Sequence, residues 1–175
     1  MICVSRFMLL IGFVLSSVAA LADDAPLIIP ASHQCSLERI NSEPKQALEE
    51  CLTFAQLGYA DAQFVLGEYW DQGQYAPRDY QQALKWFEQA SVQGHAIAQL
   101  RLGTMFYRGE GVPANSIQAY IVLKMSAING SDEALDRADQ VALQMQRNEL
   151  EIGNQVLAQI FRSYLLELSS ETYTP

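Results

Sequence analysis

The chain has 175 residues, with 11 lysines and arginines against 20 aspartates and glutamates, and its formal net charge is −9 at pH 7. This acidity argues against a nucleic-acid-binding protein, which needs a basic surface. No cluster of lysines and arginines in the sequence suggests adhesion to an anionic membrane.

Residues 1–22 have the pattern of a secretory signal peptide. Arg6 gives the positive start, an apolar run extends from Phe7 to Val18, and Ala20-Leu21-Ala22 is a small-residue cleavage site. An uncleaved anchor is the alternative, but the apolar run is shorter than the ~20 residues that a spanning helix needs. We predict cleavage after Ala22 and export across a bacterial inner membrane, to the periplasm or outside the cell, although a signal peptide alone also fits eukaryotic secretion.

Residues 23–44 are the least regular stretch of the mature chain and are predicted to form an N-terminal tether. Cys35 and Cys51 are the two cysteines that follow the cleavage site, and an even pair in an oxidising compartment predicts one disulfide. Its loop of about 16 residues corresponds to ~3 kcal/mol in the chain-entropy model, and the bond would hold the tether on the first helix. Zinc is a poor alternative, because a structural site needs about four ligands.

The chain contains an internal sequence repeat: residues 60–95 and residues 96–131 share a pattern, with an offset of 36 residues. The positions shared by both copies are Ala62 and Ala98, Gln63 and Gln99, Leu66-Gly67 and Leu102-Gly103, Gly73 and Gly109, Pro77 and Pro113, Ala83 and Ala119, and Gly94 and Gly130. An internal period of this length indicates stacked repeats, each of which is one supersecondary unit.

Each copy predicts two helices joined by a turn, over about 61–72 and 79–93 in the first copy. The glycine after the first helix supplies a left-handed C-cap, and the proline that follows prevents continuation. Asp79 and Asn115 stand at the N-cap positions of the second helices. Gly67 and Gly103 fall where the two helices of a pair must approach closely, so a larger side chain there would overpack the contact.

Helical patterns also flank the two copies. Residues 45–58 match the second helix of a repeat whose first half is degenerate, and the pattern decays in a further helix after the second copy. A last helix over about 147–168 carries an apolar stripe and is predicted to cap the array. We therefore predict a repeat domain over 45–168, followed by a frayed tail at 169–175.

These residues resemble a known family. The first copy reads Ala62-x3-Leu66-Gly67-x2-Trp70-x2-Gly73 and then Ala83-x2-Trp86-x3-Ala90-x3-Gly94, and the second reads Leu102-Gly103-x2-Phe106-x2-Gly109-Glu110-Gly111-Val112-Pro113. The pattern is similar to the Sel-one-like repeat (SLR), a relative of the tetratricopeptide repeat. It departs at Tyr75, which replaces the second turn glycine, and at Val122, which replaces a tryptophan. The resemblance implies an all-α, right-handed superhelix that serves as a scaffold for protein interactions.

The same resemblance suggests a binding surface. Aligning Gly67 and Gly103 with the corresponding tetratricopeptide glycine puts one side of each first helix on the concave face of the array. The predicted protein-binding residues are Phe64, Glu68, Asp71, Leu100, Thr104, Tyr107 and Arg108. Apolar Phe64 and Leu100, ringed by acids, resemble a groove for an extended peptide or a partner helix, and the acids would favour a partner with a basic segment. The alternative is that the C-terminal helix fills this groove.

The sequence offers no catalytic motif. His33 and His95 are the only histidines, and no Gly-x-Ser-x-Gly, His-Glu-x-x-His or phosphate-loop pattern occurs. We therefore predict no cofactor and no metal, and a non-catalytic adaptor that binds another protein or peptide in an envelope or secreted complex. The alternative is a cell-wall or β-lactam-related enzyme or ligand binder. Some secreted, cysteine-rich members of the family are associated with such activity, but they carry a cysteine pair in each repeat.

Overall fold

The computed structural model describes residues 35–171, with side chains as far as residue 166. The predicted signal peptide, most of the tether, His33 and the last four residues lie outside the described residues. The described part of the chain consists of eight helices without a strand. They are α1 (Leu37–Ser42), α2 (Pro44–Gln56), α3 (Ala60–Gln72), α4 (Tyr80–Ser91), α5 (Ala96–Arg108), α6 (Ser116–Ile128), α7 (Asp132–Gln144) and α8 (Arg147–Glu171).

The helices stack in the order of the chain. The pairs α3–α4 and α5–α6 correspond to the two sequence copies, and from α2 to α7 each helix packs mainly on the helices before and after it. The predicted all-α, tetratricopeptide-like superhelix is confirmed. Local signals place the second helices as predicted, because Asp79 Oδ1 accepts the amide protons of Gln81 and Gln82, each at 3.0 Å, and Asn115 Oδ1 accepts that of Gln118 at 3.0 Å.

The two helices of each pair touch at a glycine. A Cβ atom on Gly67 would lie 2.4 Å from the ring of Phe87, and one on Gly103 would lie 2.7 Å from Cγ of Leu123. Both neighbours are almost completely buried. The prediction of close approach at these glycines is therefore confirmed.

The turn of the second copy explains one departure from the family pattern. A Cβ atom on Gly111 would lie 2.7 Å from the backbone oxygen of Tyr80, so the turn packs directly on the start of α4. In the first copy the equivalent residue is Tyr75, which packs against the N-terminal core, with its ring 6.0 Å from that of Tyr69. A large residue fits there because the turn of the first copy faces a different neighbour.

A pair of buried glutamines joins successive repeats. Gln63 Nε2 donates to the carbonyl of Ala55 at 3.0 Å, and Gln99 Nε2 donates to that of Ser91 at 2.9 Å. Each glutamine also accepts a hydrogen bond, from Gln93 at 2.7 Å in the first copy and from Asn129 at 2.8 Å in the second. The same two bonds therefore recur one repeat apart. They give carbonyl groups at the C-terminal ends of α2 and α4 a second donor, in addition to the backbone amides of Gly58 and Gly94.

The described part of the predicted tether, from residue 35, contains a helix. Cys35 and Cys51 form the predicted disulfide, with their Cα atoms 4.8 Å apart, and both are buried. The predicted tether, however, contains α1, whose N-cap Ser36 accepts the amide proton of Arg39 at 3.2 Å. Ile40 on α1 is buried beside the disulfide, so this short helix is held by tertiary contacts.

The C-terminal helix α8 packs against α6. Tyr120 contacts Gly153, and its hydroxyl donates to Asn154 Oδ1 at 2.8 Å. The amide of Gln146 donates to Glu149 Oε2 at 2.8 Å and so starts α8, which runs beyond the predicted end at 168 to Glu171. Because α8 lies on a second helix, it does not fill the face formed by the first helices. No helix within the described residues is long and apolar enough to cross a membrane.

Candidate protein-binding site

The first helices of the successive units are α3, α5 and α7, and their shared surface is called the first-helix face below. The structure divides the predicted site residues among three places on it. Phe64 is half-buried near the start of α3, where its ring stacks on His95 with the centroids 4.7 Å apart. His95 caps α5, because its Nδ1 accepts the amide proton of Ala98 at 3.1 Å, and its Nε2 lies 3.4 Å from Asp61 Oδ1. Phe64 and His95 therefore support the start of α5.

Two predicted contact residues are inaccessible. Leu100 and Glu68 are each only 5% exposed. Leu100 belongs to the core, whereas the Glu68 carboxylate forms an ion pair with Arg101, with 2.7 Å between Oε1 and Nε. Gln72 also donates to Glu68 Oε2 at 2.8 Å. The predicted apolar groove ringed by acids is therefore wrong at these positions.

A polar groove lies between the C-terminal ends of α3 and α5, and it is called the arginine groove below. Its volume is about 370 Å³, and the residues that line it are Asp71, Gln72, Gln74, Arg78, Tyr80, Arg101, Arg108 and Glu110. Two predicted residues, Asp71 and Arg108, meet here. Three arginines and two carboxylates line the groove, so it offers more donors than the sequence suggested.

The arginines are held in different ways. Arg78 donates to the carbonyl of Gln72 at 3.2 Å and to the hydroxyl of Tyr80 at 3.1 Å, and has no carboxylate within ion-pair distance among the described residues. Arg108 lies 3.7 Å from Glu110, at the surface. A guanidinium group is a planar, permanently charged donor that suits carboxylate and carbonyl groups. The groove therefore offers guanidinium donors beside the carboxylates of Asp71 and Glu110.

The third place is a crevice of about 60 Å³ between α5 and α7. It contains the predicted residues Thr104 and Tyr107, opposite Gln140 and Gln144. Tyr107 is 36% exposed, and its hydroxyl donates to Gln144 Oε1 at 2.5 Å. This bond fixes the ring orientation and leaves part of the ring accessible. The crevice accommodates little more than the tip of a side chain.

Sequence reasoning missed Arg78 and Arg101. Arg78 lies in the turn after α3, outside the helical positions that were counted. Arg101 lies 33 residues after Glu68. Because the repeat is 36 residues long, Arg101 stands about one helical turn before the position on α5 that corresponds to Glu68 on α3. Opposite charges at that spacing were therefore a signal for the ion pair between α3 and α5. Within the described residues, no three histidine, cysteine, aspartate or glutamate side chains are grouped as a metal site.

The family model of the Sel1 repeat matches residues 60–95 and 96–131. The chain carries two Sel1 repeats. Sel1 repeats commonly serve as scaffolds for protein interactions. No curated protein matches the sequence.

Three solved structures are similar to this chain. A protective antigen present in uropathogenic Escherichia coli strains, which displays an SLR fold, is 26% identical with a TM-score of 0.69 over 83% of this chain. This chain spans 33% of that antigen. A Sel1 repeat protein from Oxalobacter formigenes is 31% identical over 50% of this chain and 36% of its own, with a TM-score of 0.49. Cysteine rich protein B of Helicobacter pylori is 22% identical over 53% of this chain and 70% of its own, with a TM-score of 0.51.

Proposed function

We propose that this chain is an exported, non-catalytic adaptor that binds a segment of a partner protein along the first-helix face. The arginine groove carries the proposal, because it is open and its donors are held by the protein itself. Arg78 and Arg101 are oriented by Gln72, Tyr80 and Glu68 before any partner arrives. Preorganised donors reduce the ordering cost of binding.

The partner segment would extend from the arginine groove to Tyr107. Tyr107 and Arg108 are adjacent on α5, yet Tyr107 lines the crevice toward α7 and Arg108 lines the groove toward α3. A segment that crosses α5 would contact both side chains. Tyrosine and arginine are the residue types in which binding energy concentrates at interfaces. Asp71, Thr104, Tyr107 and Arg108 remain as accessible contacts from the predicted site.

Export is supported by two independent features. The buried Cys35–Cys51 disulfide is a type of bond that persists in oxidising compartments. Residues 1–22 have the composition of a signal peptide. We place the mature protein in the periplasm or outside the cell. Mass spectrometry of the mature N-terminus should find Asp23, and exported protein that retains residues 1–22 would contradict this.

Capture followed by substitution tests the binding face. The tagged mature chain is crosslinked in its native envelope, the partner is identified, and its affinity is then measured with purified proteins. Tyr107→Ala and Arg108→Ala should each weaken binding by ~1–3 kcal/mol, which is about 5- to 150-fold in the dissociation constant. Lys85→Ala is the matched control, since Lys85 is an exposed cation on α4.

The outcome distinguishes the first-helix face from other surfaces. Unchanged affinity in both variants, with helicity intact, would move the site elsewhere on the protein. Turnover of a chromogenic β-lactam by the purified chain, abolished by one polar substitution, would instead favour the alternative of a cell-wall-related enzyme.

A further inference from the structure

The second half of α8 exposes an apolar patch outside the first-helix face. Ile160, Phe161, Tyr164 and Leu165 form it together with Ile128 at the end of α6, and it is called the C-terminal patch below. Tyr164 is 57% exposed and Leu165 is 63% exposed. Repeat arrays need terminal elements with a polar outer face to remain soluble alone. This end of the array does not meet that requirement.

The patch arises because α8 is much longer than the helix on which it packs. At 1.5 Å per residue, the 25 residues of α8 span about 37 Å and the 13 residues of α6 span about 20 Å. The two helices run in the same direction, since Gly153 meets Tyr120 and the stretch 160–164 meets the end of α6. Leu165 therefore lies beyond the end of α6.

The patch also contains a cleft. Between the end of α6 and α8 is a space of about 230 Å³, and the residues that line it are Met125, Ile128, Asn129, Ile160, Phe161 and Tyr164. An apolar cavity of about 150 Å³ is enough to hold benzene, so this cleft can take an aliphatic side chain. One surface thus carries both an apolar cleft and a projecting leucine, which are the two halves of a self-complementary contact.

We propose that the C-terminal patch binds a second copy of this chain. In an isologous dimer the same patch faces itself across a two-fold axis, so Leu165 of each copy enters the cleft of the other. The apolar residues recur at i and i+4, as 160 with 164 and 161 with 165, and form ridges suited to helix–helix packing. None of the five patch residues is charged.

The available area sets the expected strength. The exposed fractions of the patch residues correspond to about 500 Å² of apolar surface per copy, since a buried aromatic side chain accounts for 150–250 Å². Two copies would bury about 1,000 Å², which is at the lower limit for a specific interface. We therefore expect a reversible dimer with a dissociation constant on the order of micromolar.

Sedimentation equilibrium of the mature chain tests the proposal, at concentrations on both sides of the expected dissociation constant. The wild-type chain should show a concentration-dependent doubling of mass. Leu165→Glu should be monomeric throughout, because it buries a charge in an apolar cleft. Leu143→Glu is the matched control, since Leu143 is 88% exposed on α7 and outside the patch, and should dimerise like the wild type.

A local probe ties the association to the patch. The methyl resonances of Ile128 should shift with protein concentration in the wild type but not in Leu165→Glu, while both retain the same helical circular dichroism. A wild-type chain that stays monomeric at all concentrations would overturn the proposal, as would an undiminished dimer of Leu165→Glu. The Ile128 resonance could instead be independent of protein concentration and shift when residues 27–29 are deleted. That result would assign the patch to the chain's own N-terminal segment and would also overturn the proposal.

Discussion

Replacing Gly67 with alanine should destabilise the protein, although helix propensity alone predicts the opposite. Alanine is favoured over glycine within a helix by about 1 kcal/mol. The added Cβ would lie 2.4 Å from two carbons of the Phe87 ring, whereas carbon atoms in contact are about 3.5–4.0 Å apart. The ring must therefore move by about 1 Å within a site where it is fully buried. Overpacking costs typically about 1–3 kcal/mol, and the full burial of the ring puts this case at the upper end. Subtracting the gain of about 1 kcal/mol in helix propensity leaves a net loss of about 2 kcal/mol.

A second substitution tests whether the ring of Phe87 is the source of the cost. Leucine is not small enough for this purpose, because Leu123 stands where Phe87 stands in the first repeat and a Cβ on Gly103 would still lie 2.7 Å from its Cγ. Phe87→Ala alone should lose stability because it leaves a cavity. Combined with Gly67→Ala, the smaller side chain leaves room for the new methyl group, so the double variant should lose less than the sum of the two single losses. Contacting residues commonly show coupling of about 0.5–3 kcal/mol.

Thermal and urea unfolding followed by circular dichroism, with the disulfide intact in every variant, measures these changes. A loss of 2 kcal/mol lowers the melting temperature by about 4–8 °C in a chain of this size. A higher melting temperature for Gly67→Ala would show that helix propensity outweighs the contact. Strict additivity in the double variant would show that the ring of Phe87 is not the source of the cost. Either result refutes the reasoning.

Three further outcomes follow from contacts described above. Gln99→Leu removes two hydrogen bonds between the repeats, to the Ser91 carbonyl and from Asn129, and at about 0.5–1.5 kcal/mol per bond it should cost about 1–3 kcal/mol in urea unfolding. Gln118→Leu, on the exposed side of α6, should be close to neutral. Reducing the Cys35–Cys51 disulfide should lower stability by up to about 3 kcal/mol, and the double serine variant should then be insensitive to reductant. Hydrogen bonds from Gln46 and then from Arg39 hold the pKa of Glu50 below its ordinary 4.5. Because the pKa of Glu50 is lower in the folded chain than in the unfolded chain, its ionised carboxylate stabilises the fold at pH values above the unfolded pKa. This contribution is lost as the pH falls through the folded pKa. Gln46→Ala should raise the pKa of Glu50, as measured by NMR titration.

The repeat architecture was predictable because its signals are local. An N-cap such as Asp79 and a glycine at a helix crossing act within one unit, and the period of 36 residues shows that the unit recurs. The short helix α1 was missed for the opposite reason. Six residues ahead of a proline have little helical tendency of their own, and α1 is held because Ile40 is buried beside the disulfide.

The binding face was predictable only in part. Counting 3.6 residues per turn gives the direction of a side chain, and Asp71 and Arg108, which the count puts on the same side of the first helices, line one groove. The count does not show how deeply neighbouring helices cover a residue, and Leu100 was therefore taken as accessible. Nor does it reveal a partner from the next repeat, such as Arg101 for Glu68.

The recurring glutamine bonds have a consequence for how such an array can change in length. Each unit carries both the donor that reaches back to the preceding unit and the carbonyl that the following unit needs, as Gln99 and Ala127 show by their places in the second copy. Suppose that a duplicate of residues 96–131 is inserted after residue 131. The inserted copy of Gln99 would then lie eight positions after Ala127. Gln99 itself lies eight positions after Ser91, whose carbonyl it binds. A gene duplication in frame with the period would thus supply its own connections. An insertion of one residue at the same junction would break them, so this array can grow by whole units but not by fractions of one.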